Sequence, residues 1–156
     1  VCSRALRFSR IMASQYTDHL RLTVGEEIPS VWGEPALLEQ AVVNLIKNAC
    51  EALTGRDGIV EVTVAAVDAG RGVRISVCDT GRGFPPGLAR RIGEPFVTGR
   101  LRDGGTGLGL SIVAGIVDKH RGRITREPSG QFATCVAVTL PAAPPPDESP
   151  PSVSTD

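Results

Sequence analysis

The chain has 156 residues and a mass of 16.4 kDa, the size of one ordinary domain with room for its own core. Lys plus Arg is 17 and Asp plus Glu is 17, so the formal net charge is zero and there is no basic footprint for binding nucleic acid through charge. A composition of 41% hydrophobic and 22% charged residues is globular, and no apolar run approaches the roughly 18 residues of a membrane span.

The chain begins with Val1, shows no signal peptide and reads as a piece of a longer protein. Residues 1–16 mix Arg, Ser and apolar positions and read as the end of a helix begun upstream. LRLTV at 20–24 alternates as a strand does. Pro35 follows Gly33-Glu34 as a helix start, and an apolar stripe from Leu37 to Leu53 carries that helix to about Thr54. Residues 59–67 and 72–79 are two strands joined by a tight connection at 68–71. A glycine-rich stretch follows, with a short helix at Leu88–Ile92. Nine of the 18 Gly fall between Gly81 and Gly109, inside an otherwise well-patterned domain, so they call for a local reason. Leu108 to His120 is a second helix, and 123–127 and 132–140 close the domain as strands. Strand pairs alternating with helices predict an α+β fold, a two-layer α/β sandwich whose mixed sheet is covered on one face by helices. The end, PAAPPPDESPPSVSTD, is Pro-rich and acidic, which predicts a disordered tail or linker over 141–156.

The four cysteines form no C-x-x-C pair and lie far from His19 and His120, so zinc spacing is absent. Cys50, Cys78 and Cys135 sit in apolar stretches and read as buried free thiols in a reducing cytosol; the other reading, a redox-sensing thiol, has nothing in the sequence to support it. His19 reads as a strand edge, and His120 as a helix end capping carbonyls.

Three segments carry chemistry. On the first long helix, Gln40, Asn44, Lys47, Asn48 and Glu51 share one face. They are either a solvated polar face or carboxamides turned into a pocket to hold a hard cation through oxygen. Asp79-Thr80-Gly81-Arg82-Gly83 ends a core strand in a carboxylate, and its glycines let a flat ligand approach. The segment is either a tight turn with an Asp cap, or a site where the carboxylate accepts from the exocyclic amine of adenine and rejects guanine. Gly104 to Ser111 runs glycines into a helix start, where N–H groups and the helix dipole favour an anion; the bland alternative is a flexible loop. Between them, GEPFVTGRLRDGG reads as a cover anchored by Phe96, with Arg100 and Arg102 within reach of phosphate.

In this order the segments resemble the catalytic, ATP-binding domain of sensor histidine kinases, in the superfamily shared with Hsp90, gyrase and MutL. QAVVNLIKNACEA resembles the N box, DTGRGF the first glycine box, GEPFVTGR the F box and GGTGLGLSIV the second glycine box, and NLIKNACEAL with EPFVTGR looks most like the nitrogen-regulation type. The resemblance implies a Bergerat-type ATP-binding fold over 18–140, with 1–17 the end of an upstream dimerisation linker. It implies that Asn48 ligates Mg²⁺, that Asn44 lines the ATP phosphates and that Asp79 binds adenine in a pocket shaped by Gly81 and Gly83. Phe96 would pack the lid, Arg100 would meet phosphate, and Gly105, Thr106, Gly107, Leu108 and Gly109 would follow the phosphates. Asn48, Asn44 and Arg100 would form the catalytic set.

The implied activity is transfer of the ATP γ-phosphoryl group to a His on the missing dimerisation helices, then to a response regulator. The protein would act as a homodimer, with this domain in the cytoplasm of a full-length protein that can itself be membrane-anchored. No H-[ED]-x-x-x-P-like phosphoacceptor run is present. Asn44 stands where ATP-hydrolysing relatives carry a general-base Glu, which favours a transferase. The alternatives are an ATPase or Ser/Thr kinase of the same superfamily, or a non-enzymatic module whose lid reports nucleotide occupancy.

Overall fold

Alternation decides which side of the sheet is core. In a computed structural model describing residues 2–83, 107–127 and 130–143, Val60, Val62, Val64, Val73, Ile75 and Val77 point to one side and are buried. Their strands are β2 (Ile59–Val67) and β3 (Gly72–Asp79), an antiparallel pair. The sheet has five strands in the order β1-β2-β3-β5-β4, with β1 (His19–Val24), β4 (Arg123–Arg126) and β5 (Thr134–Pro141). Only β1 and β2 run parallel, because α2 (Pro35–Ala52) returns the chain between them. The sheet is thus mixed and covered on one face by helices, as its patterning predicts.

The covering layer is α2 and α3 (Gly107–Lys119), with α1 (Cys2–Ala13) packed on α2. The stripe on α2 buries Leu38, Ala41, Val42, Leu45, Ile46 and Ala49, and α3 adds Val113, Ile116 and Val117. Helix α2 stops at Ala52, two residues short of the predicted end, because Leu53 turns extended and donates its N–H to Cys50 O. The short helix expected at 88–92 lies outside the described residues. Beyond β5, Ala142 donates to Arg71 O at 2.8 Å and Ala143 to Ser30 O at 2.7 Å, so 142–143 stay tied to the domain while 144–156 lie outside the described residues.

His120 ties the two covering helices together. Its Nδ1 is 2.7 Å from Ile116 O, and its Nε2 accepts the Glu34 N–H at 3.1 Å, at the N-terminus of α2. One neutral ring therefore closes α3 and satisfies a free donor of α2. Its ring fills the place where a Cβ on Gly33 would sit, 2.2 Å from Cδ2. His120→Ala is expected to destabilise the domain by about 1–3 kcal/mol, since the Glu34 N–H loses its acceptor and a buried ring is deleted. Urea unfolding checks this; a change below about 0.5 kcal/mol would show the bridge to be incidental.

The cysteines correct the sequence reading. Cys50 is a buried free thiol as expected. Cys78 and Cys135 are not free: they lie directly opposite one another on β3 and β5, with Cα atoms 4.0 Å apart, and form a disulfide. A separation of 57 residues hides this pairing in the sequence, and only strand register reveals it.

Candidate functional site

The C-terminal half of α2 gathers the chemistry. On the polar face predicted for this helix, Gln40 and Lys47 are exposed while Asn44, Asn48 and Glu51 are half-buried, so the face is only partly solvated. Lys47 and Glu51 pair at 3.7 Å as i,i+4 partners, which leaves the asparagines as the inward groups. Asn48 meets the first turn of α3. A Cβ on Gly109 would lie 2.5 Å from Asn48 Oδ1 and 2.8 Å from Nδ2, so the amide occupies space that only glycine leaves. Asn48 Nδ2 is buried without a hydrogen-bond partner among the described residues.

One turn later, α2 meets the end of β3. Asp79 is 2% exposed, and the described residues give its side chain one hydrogen bond, from Gly81 N–H to Oδ1 at 2.8 Å. Burial pushes its carboxyl up to about 6, and the Gly81 bond pulls it only partly back. The Asp79 carboxylate thus caps its own turn, as the first of the two sequence readings expects, and does so while buried. A Cβ on Gly81 would stand 2.3 Å from Ala52 O, so close approach to α2 forces glycine there. Gly83 has φ +76°, a region that favours glycine for a different reason.

Two residues that motif reading passes over hold this turn. Thr80 Oγ1 accepts the Ile59 N–H at 2.9 Å, and Thr80 N–H donates to Ile59 O, locking the turn to β2. Arg82 N–H donates to Ala52 O at 3.0 Å, and its Nη2 to Glu51 O at 3.3 Å, capping the last carbonyls of α2. The usable signal for Arg82 was a cation placed after a helix that ends without a basic residue in its last turn.

Gly107, Leu108 and Gly109 open α3, as the anion-site reading requires of its helix start. Phe96, Arg100, Gly105 and Thr106 lie outside the described residues. Among the described residues no group of three or more His, Cys, Asp or Glu could hold a metal ion. A single carboxamide oxygen suits an ion that keeps waters and substrate phosphates as its other ligands, which is the habit of Mg²⁺. Asn48 Oδ1, held in the space that Gly109 leaves, is an oxygen of that kind. No helix of the described residues is long and apolar enough to cross a membrane.

Residues 33–144 match the family described as Histidine kinase-, DNA gyrase B-, and HSP90-like ATPase. Among curated relatives, Sporulation kinase B of Bacillus subtilis is 34% identical over 137 residues, covering 86% of this chain and 31% of that protein. Sensor histidine kinase ZraS of Escherichia coli K12 is 39% identical over 105 residues, 67% of this chain and 22% of that protein. Sensory histidine kinase/phosphatase NtrB of Salmonella typhimurium is 33% identical over 132 residues, 77% and 37%. The chain thus spans between about a fifth and two fifths of the length of these relatives. Among solved structures, the nucleotide-free catalytic domain of histidine kinase ThkA superposes with a TM-score of 0.72 at 28% identity, covering 92% of this chain and 95% of that one. Mycobacterial sensor histidine kinase MprB superposes with a TM-score of 0.69 at 28% identity, covering 92% and 94%.

Proposed function

We propose that this chain, which belongs to the histidine kinase-, DNA gyrase B- and HSP90-like ATPase family and is a catalytic domain of the sensor histidine kinase kind, binds ATP with Mg²⁺ and presents the γ-phosphoryl group to a histidine outside this chain. The acceptor would lie on upstream dimerisation helices of a homodimer, and the phosphoryl group would pass on to an aspartate of a response regulator. The domain would work in the cytoplasm.

One observation carries this reading. The last two turns of α2 hold the Asn48 amide against Gly109 and the Ala52 carbonyl against Gly81, so Asn48 and the turn that follows buried Asp79 are served by one short stretch of helix. In this reading Asp79 accepts a hydrogen bond from the adenine amine, and Gly81 and Gly83 keep the pocket free of side chains. Guanine, with a carbonyl at that place, leaves a buried carboxylate unpaired. Asn48 would hold Mg²⁺ through its carboxamide oxygen, and the ion would neutralise phosphate charge when bound. Asn44 lines the phosphates one turn earlier. The N–H groups at Gly107, Leu108 and Gly109 favour the same charge at the start of α3. Phe96 would serve a lid, and Arg100, Gly105 and Thr106 would add phosphate contacts, all at positions outside the described residues. Asn44 cannot take a proton from water, so the site positions ATP for a side-chain nucleophile instead of hydrolysing it.

Calorimetry with ATP and GTP, each with and without Mg²⁺, tests the binding step. Binding of ATP that needs Mg²⁺ and excludes GTP is expected; a folded sample that binds neither would sink the reading. Acid-labile label from γ-labelled ATP on the longer protein tests the transfer step.

A further inference from the structure

We propose that Cys78 and Cys135 are a reversible thiol–disulfide site that sets the affinity for nucleotide. The proposal rests on the assignment of the adenine contact to Asp79 made above.

The two residues occupy one rung of the β3–β5 ladder, and the next rung is Asp79 opposite Thr134. The chain beyond that rung is tied as well, since Ala133 N–H donates to Asp79 O at 2.8 Å. The bond therefore crosslinks the two strands at the pair adjoining the buried carboxylate, on segments 57 residues apart in sequence. With the bond in place, the end of β3 and the segment that holds Asp79 O move as one unit. Without it, the backbone hydrogen bonds of the ladder alone hold the two strand ends together beside Asp79. A site held in its binding geometry beforehand loses less on binding, so the oxidised form is the tighter binder.

Access agrees with this role. On β3, Val73, Ile75, Val77 and Asp79 face the helices, so Cys78 faces the opposite side of the sheet, where it is half-buried. Its surroundings there are polar: Glu61 lies opposite it on β2, and Glu127 Oε2 is 4.0 Å from Cys135 Sγ. Cys78 is half-buried while Cys135 is 4% exposed, so exchange begins at Cys78. An external thiolate attacks Cys78 Sγ, Cys135 leaves as thiolate and takes a proton, and a second thiol releases Cys78. In sum, the protein disulfide and two small thiols give two protein thiols and one small disulfide; a low-molecular-weight disulfide reverses it. Cys50 provides the contrast. It is wholly buried, and its thiol is pushed up to about 11 by burial and by the Asp79 and Glu51 carboxylates, so it stays inert.

The experiment compares the full 156-residue chain after oxidised glutathione and after dithiothreitol. Alkylation and peptide mapping read the bond, and calorimetry reads ATP affinity. A Cys78–Cys135 peptide that appears on oxidation and vanishes on reduction is expected, with ATP bound at least fivefold more weakly by the reduced form. Cys78→Ser should bind like the reduced chain and ignore dithiothreitol; the wild-type comparison stands even where that variant folds poorly. Equal ATP affinity in two states of proven redox content would overturn the proposal, as would failure of the linked peptide to form. Loss of ATP binding in both states, with the peptide forming and vanishing normally, would instead overturn the nucleotide assignment and the affinity control with it.

Discussion

Asp79→Asn is expected to abolish discrimination for adenine, to weaken ATP binding roughly 100-fold or more, and yet to make the nucleotide-free domain more stable at neutral pH. The first effect follows from geometry. Gly81 N–H already claims Oδ1. An Asn that keeps this bond must turn its NH₂ toward the ligand, and that donor then faces the adenine amine. The gain in stability follows from burial. The carboxyl of Asp79 titrates near 6 in the folded chain against 3.8 when exposed, so between those values the folded state holds a proton that the unfolded state has released. Stability from this group therefore falls as pH rises through that window, and above it the buried charge costs on the order of 3 kcal/mol. Asparagine removes the charge, so the variant should gain about 1–3 kcal/mol at pH 7 and lose the advantage near pH 4. Urea unfolding at the two pH values measures this, beside calorimetry with ATP. If adenine meets Asp79 in its ionised form, wild-type affinity should also fade as pH drops below 6, with no such dependence left in the variant. A variant that still binds ATP within threefold of wild type would remove Asp79 from the pocket.

A carboxylate that burdens stability stands out in a sequence, and the rest of the fold and site was legible to different degrees. The core was legible because burial follows period. The alternation of 59–67 and 72–79, and the stripe on 35–53, each point one way whatever the partner strand. Asp79 and Asn48 were legible for the opposite reason, as polar residues set where an apolar pattern has no use for them. The connection of Cys78 to Cys135 was not legible, since both fit an apolar strand and the register that opposes them depends on two turns far apart. Nor was the work of His120. Its sequence position suggests a cap for its own helix, which it provides at Ile116 O, but the Glu34 N–H it accepts lies 86 residues away. Thr80 and Arg82 hid inside a motif whose glycines draw the eye, although they fasten the turn to β2 and α2. Local chemistry reads from sequence, and the contacts that aim it belong to tertiary structure.

The contact between α2 and α3 yields the other large effect. Asn48→Ala should reduce phosphoryl transfer a hundredfold or more if its oxygen holds the ion that offsets phosphate charge. Stability should change by less than about 1 kcal/mol, because the buried Nδ2 that disappears has no partner to lose among the described residues. Gly109→Ala is the sharper probe, since it leaves the amide in the sequence. The new methyl group would stand 2.5 Å from Asn48 Oδ1 and must displace it, and the atoms it meets are the movable end of a side chain rather than backbone. The amide therefore swings away at small cost, while the helix gains up to about 1 kcal/mol from alanine over glycine. The expected variant is at least as stable as wild type and nearly inactive. In the double variant the two losses should fail to add, because each acts by removing the same oxygen from the same place. Single-turnover transfer in the longer protein gives the four rates of that cycle. Additive losses would mean that Gly109 acts through the backbone at the start of α3, and full activity in Gly109→Ala would take Asn48 out of the site altogether.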